Sequence, residues 1–192
     1  TITFPNIAAA TMILGGFNWS SGTFNIATQN QVLTINGTVS ISGGTVNWSA
    51  AAAQTISITG NASFTGGTIT TTNRSSITLN GASITIGGAS SNPTFLTATT
   101  KLVIGNPTPT QLVTVNIGSL NPVIAGDLEV NNTTGLAQAV KFTGGTLNIN
   151  GALIFTAGKV VISDIANLVV KGSSATPDFD NTAGYETTEQ GR

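Results

Sequence analysis

The chain is 192 residues long, 40% hydrophobic but only 7% charged, with a formal net charge of -1, no cysteine and no histidine. That composition removes disulfides, thiolate and imidazole metal sites and every His-based catalytic dyad or triad, and it offers no basic surface for nucleic acid. No apolar stretch approaches the ~18 residues a membrane-spanning helix needs, while a mean hydropathy of +0.27 separates the chain from polar, charge-rich disordered sequences.

Taken in chain order, the segments read as strands. Thr1-Ile-Thr-Phe4 alternates from the start, and Val32-Leu-Thr-Ile-Asn36, Thr55-Ile-Ser-Ile-Thr59, Ser76-Ile-Thr-Leu-Asn80 and Thr146-Leu-Asn-Ile-Asn150 repeat the pattern. Apolar and small polar residues alternating with period two place one set on each side of a strand. Thr, Val and Ile fill these runs and Gly punctuates them. No window carries the spacing of an amphipathic helix.

The runs recur as a unit. Leu33-Thr-Ile-Asn-Gly37-Thr-Val39-Ser-Ile41-Ser-Gly43-Gly44-Thr-Val46-Asn-Trp48 aligns without gaps on Ile56 to Ile69, on Leu147 to Ile162, and more loosely on the stretch from Ile77 through Asn80-Gly81 to Gly87-Gly88. Glycines mark the repeat at Gly22, Gly44, Gly67 and Gly88, at intervals of 22, 23 and 21 residues. Between about residues 90 and 140 the spacing loosens around Asn92-Pro93, Asn106-Pro-Thr-Pro109 and Asn121-Pro122.

A constant period of strand, turn, strand, turn, strand predicts an all-β parallel β-helix, or β-solenoid. Roughly nine coils follow from the length, making a rod on the order of 40 Å at about 4.8 Å per layer. The inward column comprises Leu33, Ile35, Val39, Ile41, Val46, Trp48, Ile56, Ile58, Phe64, Leu147, Ile149, Leu153 and Phe155. Asn-Gly between apolar runs is also a hairpin signal, so Asn36-Gly37, Asn80-Gly81 and Asn150-Gly151 leave an antiparallel β-sandwich or barrel as the alternative. The solenoid region is expected over 1–172, with looser coils at about 90–140, and a polar acidic tail or connector over 173–192.

Candidate sites are few. Residues 1–126 contain only Arg74 and Lys101 as charged side chains, and all seven acids follow: Asp127, Glu129, Asp164, Asp178, Asp180, Glu186 and Glu189. Asp127 and Glu129, two apart on one strand, form the one local pair suited to acid and base or nucleophile roles in glycosidic cleavage. They are expected to point outward together, and their bland reading is a solvated strand face. Asp178-Phe-Asp180-Asn181-Thr-Ala-Gly184-Tyr-Glu186 faintly resembles a calcium loop but lacks its full spacing. Trp19 and Trp48, each in an Asn-Trp-Ser triplet, suit either a carbohydrate platform or the core; parity sets Trp48 inward.

Outward threonines such as Thr68, Thr70 and Thr72 raise ice binding, which requires the same Thr pair on successive coils. The aligned outward positions instead mix: Thr34 and Asn36, Ser57 and Thr59, Thr78 and Asn80, Asn148 and Asn150. The Asn-x-Ser/Thr triplets are expected by chance, and Gly43-Gly44 lacks the Lys of a phosphate loop. No catalytic, metal or cofactor residue is assigned.

The repeat Thr34-Ile-Asn-Gly-Thr-Val-Ser-Ile-Ser-Gly-Gly-Thr45 and its copies resemble the coils of large secreted bacterial surface proteins, the filamentous-haemagglutinin-like and autotransporter passenger β-helices. Lys171-Gly-Ser-Ser-Ala-Thr-Pro-Asp-Phe-Asp-Asn-Thr-Ala-Gly184 is similar to inter-repeat segments of giant Bacteroidetes surface adhesins. The resemblance covers most of residues 15–172 and implies a non-enzymatic stalk or fibre at the extracellular face of a bacterium, without cofactor, in some cases attached to surfaces; a binding module that takes surface glycans or ice along one flank is the alternative, and a polysaccharide lyase or hydrolase around Asp127 and Glu129 a further one. No initiating Met or signal peptide is present, as expected of a processed product or an excised piece. An uncapped ladder exposes pairing edges, so the unit is expected to continue into further repeats or to dock end to end with further copies, with no membrane insertion.

Overall fold

The computed structural model describes residues 1–3, 11–26, 32–95, 99–105, 111–132, 140–163, 165–171 and 179–181. Every strand pairing among them is parallel. Parallel neighbours cannot be joined by two-residue hairpin turns, so the antiparallel alternative falls and the Asn-Gly pairs are corners of a β-solenoid.

After β1 (Ile2–Thr3) the chain passes repeatedly through three faces in fixed order. The first pass is β2 (Thr11–Leu14), β3 (Phe17–Trp19) and β4 (Thr23–Asn25). The next two are β5 (Val32–Ile35) with β6 (Val39–Asn47), then β7 (Gln54–Ile58) with β8 (Ala62–Thr70), where β6 and β8 each bend across a corner and serve two faces. There follow β9 (Arg74–Leu79), β10 (Ser83–Ile86) and β11 (Thr94–Phe95); β12 (Lys101–Ile104), β13 (Val113–Ile117) and β14 (Val123–Ile124); and β15 (Leu128–Asn131), β16 (Val140–Gly144) and β17 (Thr146–Ile149). The seventh pass is β18 (Leu153–Ala157), β19 (Val160–Ile162) and β20 (Asn167–Val170). Finally β21 (Phe179–Asn181) pairs with β18, inside the stretch expected as tail.

Face I holds β2, β5, β7, β9, β12, β15, β18 and β21. Face II runs from β3 through the first halves of β6 and β8 to β10, β13, β16 and β19, and face III from β1 and β4 through their second halves to β11, β14, β17 and β20. Seven passes are fewer than the nine expected, because the coils lengthen along the chain. On face I the paired positions Leu14, Ile35, Ile58 and Leu79 are 21, 23 and 21 residues apart, whereas Leu79, Ile104, Val130 and Phe155 are 25, 26 and 25 apart. Among the described residues, part of the extra length lies outside the strands at 87–93, the corner between β10 and β11.

The core is a column stacked like on like. Leu33, Ile56, Ile77, Leu102, Leu128 and Leu153 lie one above another on face I, as do Ile35, Ile58, Leu79, Ile104, Val130 and Phe155 beside them. All are buried, as are Val39, Ile41, Val46, Trp48, Phe64, Leu147 and Ile149, so the inward assignment holds throughout. Full burial of each Leu or Ile contributes about 1.5–3 kcal/mol, and the strand ladder satisfies the backbone polar groups that go inside with them.

Corners between faces II and III need glycine for two reasons. Gly44 and Gly67 adopt φ of 72° and 81°, the left-handed region where a Cβ is strained. A Cβ on Gly44 would also lie 2.6 Å from the carbonyl oxygen of Gly22 one coil away. In the next coil the left-handed residue is Gly87, φ 87°, rather than the Gly88 that the sequence interval marks. Polar side chains clip the corners along the stack: Asn61 Oδ1 accepts from the Ser83 N–H at 3.0 Å, and Asn73 Nδ2 donates to Ala50 O at 3.1 Å.

The alignment of Leu33–Trp48 on Leu147–Ile162 is one face out of step. Leu33 stands on β5 of face I and Leu147 on β17 of face III. Thr34, Ser57 and Thr78 do form one outward row, whereas Asn148 stacks between Val123 and Val169 on face III and is nearly buried.

Candidate functional site

The only ion pair among the described residues sits on the outer side of face I. Leu128 and Val130 of β15 point inward, so the alternation sends Glu129 outward as expected, but its surroundings close over it to 9% exposure. Lys101, at the start of β12 one coil away, places Nζ 2.7 Å from Glu129 Oε2. From the following coil Thr156 Oγ1 donates to Glu129 Oε1 at 2.8 Å. Burial alone would push the Glu129 carboxyl up; hydrogen bonds from Lys101 and Thr156, with the Lys101 charge, outweigh it and hold the group below its usual range.

Asp127 does not join that group. It precedes β15 at a corner, and its Oδ1 accepts the Ala152 N–H at 2.8 Å, capping the corresponding corner of the next coil. The expected outward pair is therefore divided between two tasks. One carboxylate is spent on an ion pair and the other on a backbone amide, because each coil needs its neighbour's polar groups satisfied. Both oxygens of Glu129 are engaged across three successive coils, which makes the cluster a staple.

The tryptophans are core residues. Trp48 is fully buried, and the Phe17 ring meets it edge-on at 5.4 Å. Trp19 is half-buried, pairs in register with the inward Ile41, and stacks on Phe17 at 6.0 Å. Neither forms an outward platform. Of the acidic stretch 178–186, only 179–181 lie within the described residues, and Asp178, Glu186, Glu189 and Asp164 fall outside them. No group of three or more acidic, His or Cys side chains is gathered at metal-binding distance among the described residues.

Arg74 was not singled out by sequence reasoning, although a lone cation in an otherwise uncharged first hundred residues was a signal. It is 1% exposed and its Nε donates to Trp48 O at 2.7 Å. Desolvation lowers its guanidinium to about 10. Beside it Thr71 Oγ1 donates to Thr100 Oγ1 at 3.0 Å, and Thr100 Oγ1 lies 2.9 Å from Thr71 O and 3.1 Å from Arg74 O. The adjoining cavity, between Thr71, Thr100, Phe95 and Ile124, measures about 10 Å³, the room of one water.

The outward surface of face III is regular over its first coils. Thr23, Thr45, Thr68 and Thr94 are paired in register on four successive coils; Thr3, Asn25, Asn47 and Thr70 form a second column that starts one coil earlier, so the two run side by side on three coils. No protein family model matches the chain, and no curated protein or solved structure matches it.

Proposed function

We propose that the chain is a non-enzymatic structural module of an extracellular bacterial fibre or surface adhesin, acting as a rigid spacer. The observation that carries this reading is the parallel pairing that continues from coil to coil over seven passes, with like residues stacked in the core. Its polar clusters support the same role: Lys101, Glu129, Thr156 and Asp127 bond one coil to the next. The resemblance of the Thr-Ile-Asn-Gly units to secreted β-helix repeats supplies the location and the fibre context.

The partners in this reading are further repeats or further copies joined end to end. A terminal coil of any such stack presents unpaired N–H and C=O groups along the axis, which the first coil of a neighbour can pair. Surface glycans are the second class of partner, reached at the tip the spacer extends. Negative-stain microscopy of native material tests the proposal: straight rods or filaments with stacked-coil repeats are expected, and compact particles would overturn it. Surface labelling of intact cells with an antibody to the chain tests the location.

A further inference from the structure

We propose that the corner Asn36-Gly37 is a self-modification site, where water, without an enzyme, converts the Asn36 carboxamide to aspartate and isoaspartate. The inference is independent of the spacer reading. Three Asn-Gly pairs occur in the chain, and all three stand at corners: Asn36-Gly37 and Asn80-Gly81 between faces I and II, Asn150-Gly151 between faces III and I. They are alike in sequence and different in structure.

The chemistry makes two demands. The backbone nitrogen that follows the asparagine must be free to reach the carboxamide carbon, and water must reach the product. The Gly37 nitrogen, giving up its proton, attacks Asn36 Cγ; the N–Cγ bond forms, the Cγ–Nδ2 bond breaks, and ammonia leaves with the proton. Water then opens the five-membered succinimide. Cleavage of the new N–Cγ bond leaves a normal aspartyl link, whereas cleavage at the backbone carbonyl reroutes the chain through Cγ as an isoaspartyl link. One water is consumed and one ammonia released, with no other reactant. Glycine suits the second position because it lacks the side chain that would crowd the approach.

Each corner meets these demands differently. Asn36 is exposed, and among the described residues neither its carboxamide nor the Gly37 N–H is bonded to protein. Asn150 is exposed too, but the Gly151 N–H donates to Gly126 O at 3.1 Å, so that nitrogen must give up its bond before it attacks. At Asn80 the carboxamide itself is held. Its Oδ1 lies over Gly105 of the next coil, close enough to collide with a Cβ there, and Gly81 is buried. Of the three, the first corner alone leaves both reacting groups unengaged and in water.

The product alters the stack locally. Residues 1–126 hold no carboxylate, so conversion puts a negative charge on coils that have none. The isoaspartyl form also lengthens the backbone between Ile35 and Val39, both fully buried. That corner has no slack: Gly37 packs on Gly15 O of the preceding coil without room for a Cβ, and the Asn36 N–H is committed to Leu14 O at 2.8 Å. Conversion therefore loosens the seam between the first two coils and leaves the middle of the stack alone.

The test is incubation of the whole chain at mildly alkaline pH, below its melting transition and in water enriched in oxygen-18, followed by peptide mapping. The chain unfolded in guanidinium chloride is the reference. Expected in the folded chain is conversion at Asn36, with one heavy oxygen gained and both aspartyl and isoaspartyl peptides. Its rate should exceed that at Asn150 by roughly 2- to 12-fold, the worth of one net hydrogen bond, and should exceed that at Asn80; in the unfolded reference the three rates converge. The aged parent should melt earlier than the fresh one, a change that Asn36→Gln suppresses, since the longer side chain cannot close the five-membered ring. Equal rates at the three corners of the folded chain, or a faster rate at Asn80 or Asn150, overturn the proposal. So does a folded chain in which Asn36 stays intact while the unfolded reference converts, and so does ageing that changes the parent and Asn36→Gln equally.

Discussion

Ile58 stacks between Ile35 and Leu79 with no exposure, so its side chain is felt by two neighbouring coils. Ile58→Ala is expected to cost about 2–5 kcal/mol, read from urea denaturation, and Ile58→Asp to abolish the cooperative transition because the carboxylate has no partner in that column. An unchanged melting curve for Ile58→Asp would refute the inward assignment. Glu129 behaves oppositely. Its folded carboxyl titrates below the usual value, so its contribution is complete above the unfolded pKa of about 4.3 and disappears as pH falls through the lower folded value. Melting temperature should therefore drop on acidification through that window, and Glu129→Gln should flatten this part of the profile. High salt should weaken the effect only partly, since the pair is shielded from solvent on the Glu129 side.

At the scale of the element, the bends in β6 and β8 depend on a left-handed backbone conformation and on the close approach of the preceding coil. Gly44→Ala and Gly67→Ala each impose a left-handed alanine at about 1–2 kcal/mol and press a Cβ on the preceding coil. Either variant should lower the denaturation midpoint, and Gly87→Ala should do so more than Gly88→Ala if φ, rather than spacing, selects the residue. Strand identity, inward parity and corner positions were readable in the sequence, because alternation and Asn-Gly or Gly-Gly punctuation are local. Face assignment was not. All three faces share the same alternation, so Leu147-Asn-Ile-Asn can be slid onto Leu33-Thr-Ile-Asn with no sequence penalty although they occupy different sides of the stack. The division of Asp127 from Glu129 was equally hidden, since it depends on Lys101, Ala152 and Thr156 from adjacent coils.

Across the whole molecule, each coil touches chiefly the one before and the one after, so stability accumulates as nearest-neighbour terms. Hydrogen exchange should be slowest in β6 and β8, which pair on both sides along two faces, and faster toward β2 and β20. Seven steps on face I from β2 to β21, at about 4.8 Å each, give an axis of roughly 34 Å, which small-angle scattering can check. The lengthening of the coils from 21 to 26 residues also bears on descent. A residue inserted within a strand would turn every following side chain to the opposite side, whereas one added at a corner leaves the pitch and the interior untouched. Inherited change is thereby channelled into corner growth and the duplication of entire turns, and a lineage can alter the reach of such a protein by copy number without redesigning what lies inside it.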